Sequence, residues 1–317
     1  MTDAAGRPAS GTITHRDILR GLTTSQKRHL TMRSNAMGLR QLALHLGLIV
    51  VLVAANASSD GMIRLAAMTA QGIAMVFLFT AMHECSHGTA FRSGWINRLV
   101  GGAAGFLLLQ GPGWFFYFHQ DHHKFTQDPQ RDPELLSPKP RGFGGYLVYL
   151  SGIPVWMSVL RILFVTAAGR LKAGYVPVAA RTRLVREARL MLAGYAIVLP
   201  LLALQGWLVW FVLLPLLLGQ PFLRAFLLAE HAGCTHGSDN MLANSRSLLA
   251  HPVVRFLSWN MPFHTEHHSF TAVPFHRLPA LHAIMADKLI HKHCGYAAFH
   301  RLYVGQLTRP TKAPPAE

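Results

Sequence analysis

Leu190–Leu223 reads LMLAGYAIVLPLLALQGWLVWFVLLPLLLGQPFL, and no acidic or basic side chain falls between Arg189 and Arg224. About 20 apolar residues cross the hydrocarbon of a bilayer, so this run is too long for one crossing. Gln205-Gly206 divides it, and Trp207 and Trp210 suit the membrane–water interface. The stretch predicts a helical hairpin with spans at about 189–204 and 207–229.

Working outward, a second hairpin precedes the first. Leu42–Ala55 is apolar apart from His45, and Met62–Met82 is apolar apart from Arg64, Thr69, Gln71 and Thr80. The polar link Asn56–Gly61 joins spans at about 41–56 and 62–82. Composition agrees: the chain is 51% hydrophobic and only 14% charged, against roughly 25% charge in soluble domains. The expected fold is all-α and integral to the membrane, with four transmembrane helices in two hairpins. The parts are an N-terminal segment 1–37, a membrane domain 38–290 and a tail 291–317; residues 1–15 and 310–317 read as disordered ends.

The net charge of +16 follows this topology. Arg7, Arg16, Arg20, Lys27, Arg28, Arg33 and Arg40 precede the first span, and twelve Lys or Arg lie in 88–187, while the hairpin tips 57–61 and 205–206 carry none. The excess of positive charge then places both termini and the central segment in the cytoplasm. The basic residues flank spans and form no nucleic-acid motif, so anionic headgroups are their partner and nucleic acid is not. Trp95–Gln110 and Phe143–Ala168 are apolar but broken by Gly and Pro, and read as helices lying against the membrane. Cys85, Cys234 and Cys294 are few and on the cytoplasmic side, where disulfides are not expected.

Three histidine clusters sit among these stretches: His83-Glu-Cys-Ser-His87, His119-Gln-Asp-His122-His123 and His264-Thr-Glu-His267-His268. Residues three and four apart share a helix face, so each cluster points two or three imidazoles one way. The topology puts all three at one membrane face. Eight imidazoles exceed the ligands of a single zinc and suit a pair of metal ions. His231, at the end of the fourth span, is a ninth candidate ligand, because an ionisable residue there is functional by default. His236, past Gly233, is a weaker one. Metal-bound imidazoles usually give their other N–H to a carboxylate or carbonyl, which makes Glu84, Asp121, Glu266 and Glu230 candidate partners. Pro262, just before the third cluster, suits a first helical turn.

His83–His87 also matches the zinc-protease pattern H-E-x-x-H, with Glu84 as general base. That chemistry has no use for two further clusters. A metal transporter would hold its ions near the midplane between spans, whereas these histidines gather at one face.

The order HxxxH, HxxHH, HxxHH between two hairpins resembles the membrane fatty-acid desaturase and hydroxylase superfamily. Ala81–Gly88 (AMHECSHG), Phe118–Asp132 (FHQDHHKFTQDPQRD) and Asn260–Pro274 (NMPFHTEHHSFTAVP) are similar to its three boxes, and the resemblance covers roughly 40–290. It implies a cytoplasmic cap with two Fe ions, held by His83, His87, His119, His122, His123, His264, His267 and His268, with His231 as the extra histidine. Some members place an Asn near that histidine; no clear equivalent stands near His231, which leaves the ligand set of one iron open, and Asn260 is only a candidate partner of a ligand. The resemblance further implies O2 as co-substrate and a lipid or acyl substrate from the bilayer. Desaturation is the expected reaction, with hydroxylation of an acyl, alkane or carotenoid substrate as the alternative. The chain shows no haem, ferredoxin-type cysteine or dinucleotide signature, so a ferredoxin or small cytochrome is the expected electron donor.

Overall fold

The computed structural model describes residues 13–308. Most of the two ends expected to be disordered lies outside the described residues, but Thr14, within the first, caps a short helix, His15–Gly21, through a capping box with Asp17. The described chain is mostly helical; a two-residue parallel pairing of Ser247–Leu248 with Lys292–His293 is its only sheet.

Four helices are long and apolar enough to cross a membrane: Thr24–Ser58, Gly61–Ser86, Val178–Leu204 and Leu208–His231. They coincide with the four expected spans but run past them. Val178–Leu204 begins eleven residues before the expected start at 189, and its first turns carry Arg181, Arg183 and Arg186. Hydropathy marks where hydrocarbon ends, not where a helix ends, and arginine is a good helix former. The two ambiguous stretches each form a bent pair: Gly94–Leu107 turns by 99° into Pro112–Lys124, and Gly142–Leu150 by 55° into Ile153–Ala167.

The spans pack closely where side chains are smallest. A Cβ on Gly72 would fall 1.8 Å from the Pro215 carbonyl oxygen, and one on Gly219 would fall 2.2 Å from the Gly72 carbonyl carbon. Small residues at a crossing let two backbones touch in a membrane, where no hydrophobic force drives helices together. This contact binds the second span to the fourth, and those two spans carry His83 and His231.

Polar side chains in the spans are used to stitch. Pro215 has no N–H to offer the carbonyl four residues before it, and Gln71 Nε2 donates to that Phe211 oxygen instead, at 2.7 Å. Asn56 Nδ2 donates to Gln71 Oε1 at 2.9 Å and to the Trp210 oxygen at 3.0 Å. Arg64 Nε donates to Asn56 Oδ1 and stacks over the Trp210 ring. The carbonyls belong to a π-helical segment, Leu208–Leu213, whose backbone groups must find partners inside a bilayer. His45 lies 2.8 Å from the Ala74 oxygen through Nε2, again joining two spans.

Outward-facing side chains of the spans are apolar and exposed, among them Val50, Val51, Met62, Ile63, Leu190, Ile197 and Leu201. A continuous exposed apolar belt of this kind marks contact with lipid. The core at the histidine-bearing end is closed by Val76, Phe77, Leu223, Phe226, Leu281 and Met285.

Candidate metal centre

Each histidine cluster occupies the end of a helix. His83 lies in the last turn of Leu78–Ser86 and His87 just beyond it. His119, His122 and His123 close the Pro112–Lys124 helix, which starts with Pro112 in its first turn. His231 is the last residue of Leu214–His231. His264, His267 and His268 form a helix of their own, His264–Ser269. Pro262 precedes this helix rather than opening it, and its carbonyl accepts from Leu248 N–H at 2.8 Å. The chain reaches the third cluster through Trp259 and Asn260, both left-handed at φ +50° and +58°. A bulky residue rarely adopts that conformation. Trp259 is held there by complete burial and by its Nε1–H, which donates to His45 Nδ1 at 3.3 Å.

The nine candidate ligands converge and divide into two adjoining groups. Nitrogens of His83, His87, His119, His123 and His267 lie within 4.8 Å of one another, and so do those of His122, His231 and His268. His264 joins the second group, its Nε2 2.9 Å from His231 Nε2. Exposed His236 lies outside both groups.

The imidazole nitrogens crowd in a way that hydrogen bonding alone does not satisfy. His119 Nε2 is 2.9 Å from both His87 Nε2 and His123 Nε2, and His123 Nε2 is 3.1 Å from His267 Nε2. A neutral imidazole has one donor and one acceptor, so several lone pairs here must face one another. Both nitrogens of buried His83, and Nε2 of His268, find no hydrogen-bond partner among the described residues. Burial, aided by the neighbouring imidazoles, holds His264, His267 and His268 well below the ordinary histidine pKa. They are neutral, which is the form that ligates. Converging neutral imidazoles with unused lone pairs fit metal cations, and imidazole suits iron among others.

The opposite ring nitrogens are held from outside. His122 Nδ1 sits 2.9 Å from Asp132 Oδ1. His231 Nδ1 sits 2.9 Å from the Asn244 carbonyl oxygen, and His268 Nδ1 3.1 Å from Thr126 Oγ1. Glu230 Oε1 stands 3.3 Å from His264 Nδ1, and Glu84 Oε1 3.8 Å from His267 Nδ1. At 3.8 Å Glu84 Oε1 makes no hydrogen bond to that ring, while Oε2 accepts from Thr89 Oγ1 and Phe275 N–H. The carboxylate therefore stands behind an imidazole of the third cluster and is not poised as the general base of a zinc protease. Glu266 takes Ser247 and His282 rather than a cluster histidine. Asn260 is tied to Arg255 and the Phe275 carbonyl, and half-buried Asp121 makes no side-chain hydrogen bond to an imidazole among the described residues. Asp132, Asn244 and Thr126 went unnoticed in the sequence. In the sequence Asp132 is not set apart from Asp128 or Glu134 nearby; its burial against His122 is what distinguishes it. Asn244 acts through its backbone, which leaves no side-chain signal.

A cavity of about 560 Å³ adjoins both groups. His83, His119, His122 and His264 line it, together with Phe79, Phe115, Phe118, Leu223, Phe226 and Leu227.

Comparison with known sequences agrees with this geometry. The sequence model of the fatty acid desaturase family matches residues 62–300, which takes in all nine histidines. The chain belongs to the fatty acid desaturase family. This desaturase-family chain is also 27% identical over 237 residues to the sphingolipid delta(4)-desaturase of Candida albicans. That alignment covers 66% of this chain and 58% of the relative, so the chain spans little more than half the length of the curated relative it matches. With its family and its long apolar helices together, this desaturase relative is a multi-pass membrane protein.

Proposed function

We propose that this protein introduces a double bond into the hydrocarbon chain of a membrane lipid, using O2 and two irons. The observation that carries the reading is the pair of imidazole groups beside a largely apolar cavity large enough for a lipid chain. His83, His87, His119, His123 and His267 would hold one iron; His122, His231, His264 and His268 would hold the other. Bound iron supplies O2 activation strong enough to take hydrogen from an unactivated C–H bond.

The chain's own residues do the rest. Asp132, the Asn244 carbonyl and Thr126 orient His122, His231 and His268, and Glu230 and Glu84 stand behind His264 and His267. Partners of this kind fix ring orientation and raise ligand basicity. The aromatic walls of the cavity align two neighbouring methylenes with the metal end and exclude water. Overall, two C–H bonds break, a C=C bond forms, and O2 becomes two waters. The C–H pair gives only half of the electrons O2 needs, so the other half comes from an external donor. We place the histidine cap, both termini and the donor's docking face in the cytoplasm, on the side where Lys and Arg accumulate. An acidic ferredoxin or small cytochrome should dock there with a rate that falls as salt rises, and turnover with NADH and O2 alone would contradict that.

Expression in a host that supplies a compatible donor, followed by mass spectrometry of the lipids, tests the reaction. A product lighter by two mass units with no added oxygen is expected. A product heavier by sixteen, labelled from heavy-isotope O2, would mean hydroxylation and overturn the reading.

A further inference from the structure

The geometry points to Glu134 as an oxygen donor to the second metal, making that site chemically unlike the first. The inference rests on the two-iron reading above and completes the ligand set that the sequence leaves open. His122 Nδ1 is occupied by Asp132, so Nε2 is its ligating nitrogen. Two groups stand 3.3 Å from that nitrogen: His231 Nε2, on the ligand side of its own ring, and Glu134 Oε2. Glu134 thus stands on the ligating side of the His122 ring, beside the tight set of His122, His231 and His268, not behind a ring where Asp132, Glu84 and Glu230 stand.

The carboxylate is also aimed. Its other oxygen, Oε1, accepts from Lys139 Nζ at 2.6 Å, leaving Oε2 turned to His122. Asp132 Oδ1, besides meeting His122 Nδ1, accepts from Glu134 N–H at 2.9 Å, so one buried acid positions both groups. Although burial opposes it, Lys139 and then His122 hold the Glu134 carboxyl below the ordinary range. Glu134 lines the cavity together with His122 and His264 of the second group. Hard oxygen donors and imidazoles together suit iron.

Mössbauer spectroscopy on protein loaded anaerobically with the active iron isotope tests this, with iron counted per chain. Wild type should show two unlike doublets of equal area. In Glu134→Ala one doublet should stay and the other shift or vanish, with iron falling toward one per chain. Glu134→Gln, nearly the same size, should do likewise and serves if the alanine variant does not fold. Lys139→Gln should keep both doublets. A Glu134→Ala spectrum identical to wild type would overturn the assignment. So would a Lys139→Gln spectrum that reproduces the Glu134→Ala change, since the carboxylate would then matter only as an ion-pair partner. Wild-type protein that takes up no iron would instead bring down the two-iron reading itself.

Discussion

The polar cluster inside the spans and the polar cluster at their end are both buried, yet they are built on opposite terms. In the first, Asn56, Gln71 and Arg64 are matched with one another and with the Trp210 and Phe211 carbonyls. In the second, nine imidazoles converge while both nitrogens of His83 and one of His268 are left without a hydrogen bond. An unmade buried hydrogen bond costs about 1–3 kcal/mol, so a fold has no reason to collect them. The difference separates polar groups that hold helices together from polar groups that await a ligand.

The comparison breaks most visibly under substitution. Replacing His122 or His267 with Ala should abolish activity and lower iron per chain, while metal-free His267→Ala melts no lower than wild type, because that ring's Nδ1 has no hydrogen bond in the fold. Full activity in either variant would sink the ligand assignment; a collapse of the metal-free protein would show the rings to be structural. Next in size come the groups behind the rings. Asp132→Asn should cost about 10–100-fold in activity or metal affinity, measured by iron titration and turnover, and an effect under twofold would contradict its role on His122.

The spans should respond in the opposite sense. Gln71→Leu leaves the Phe211 oxygen unmatched, takes one partner from Asn56, and should destabilise the protein by about 1 kcal/mol. Unfolding in mixed detergents measures it, and iron content should not change. Loss of iron in this variant would blur the distinction between the two clusters.

The smallest effect is on acid stability. His264, His267 and His268 titrate below the ordinary value chiefly because they are buried. Unfolded, they would bind protons near pH 6.5, about the unperturbed value. As pH falls below that, the unfolded chain takes up protons that the folded chain refuses. Stability is therefore full above that pH and is lost toward the depressed folded values. Melting of metal-free protein should fall between pH 7.5 and 5.5, and His267→Ala should flatten the fall. A pH-independent melt would mean these rings are not held neutral.

Much of this was legible beforehand because two signals are strong. Charge-poor apolar stretches locate four helices, and histidine spacing on a helix places rings on one face. His231 could be named because an ionisable group at the end of a span is costly. The legible part ends where long-range packing begins. No local pattern says that Gly72 meets Gly219, although that contact brings two of the spans together. The partition of nine histidines is equally hidden: neighbours His122 and His123 point into different groups, because adjacent residues on a helix do not share a face. The acids inside the clusters drew attention by proximity in sequence. Yet Asp132, ten residues from His122, is the one that meets it, and Asp121, its immediate neighbour, does not.

The most direct test of the account is metal analysis of protein purified anaerobically after growth with iron and zinc both available. Close to two Fe per chain and little Zn is the predicted result. One zinc per chain with no iron would contradict the account, and would return His83-Glu84-Cys85-Ser86-His87 to the reading of a zinc hydrolase.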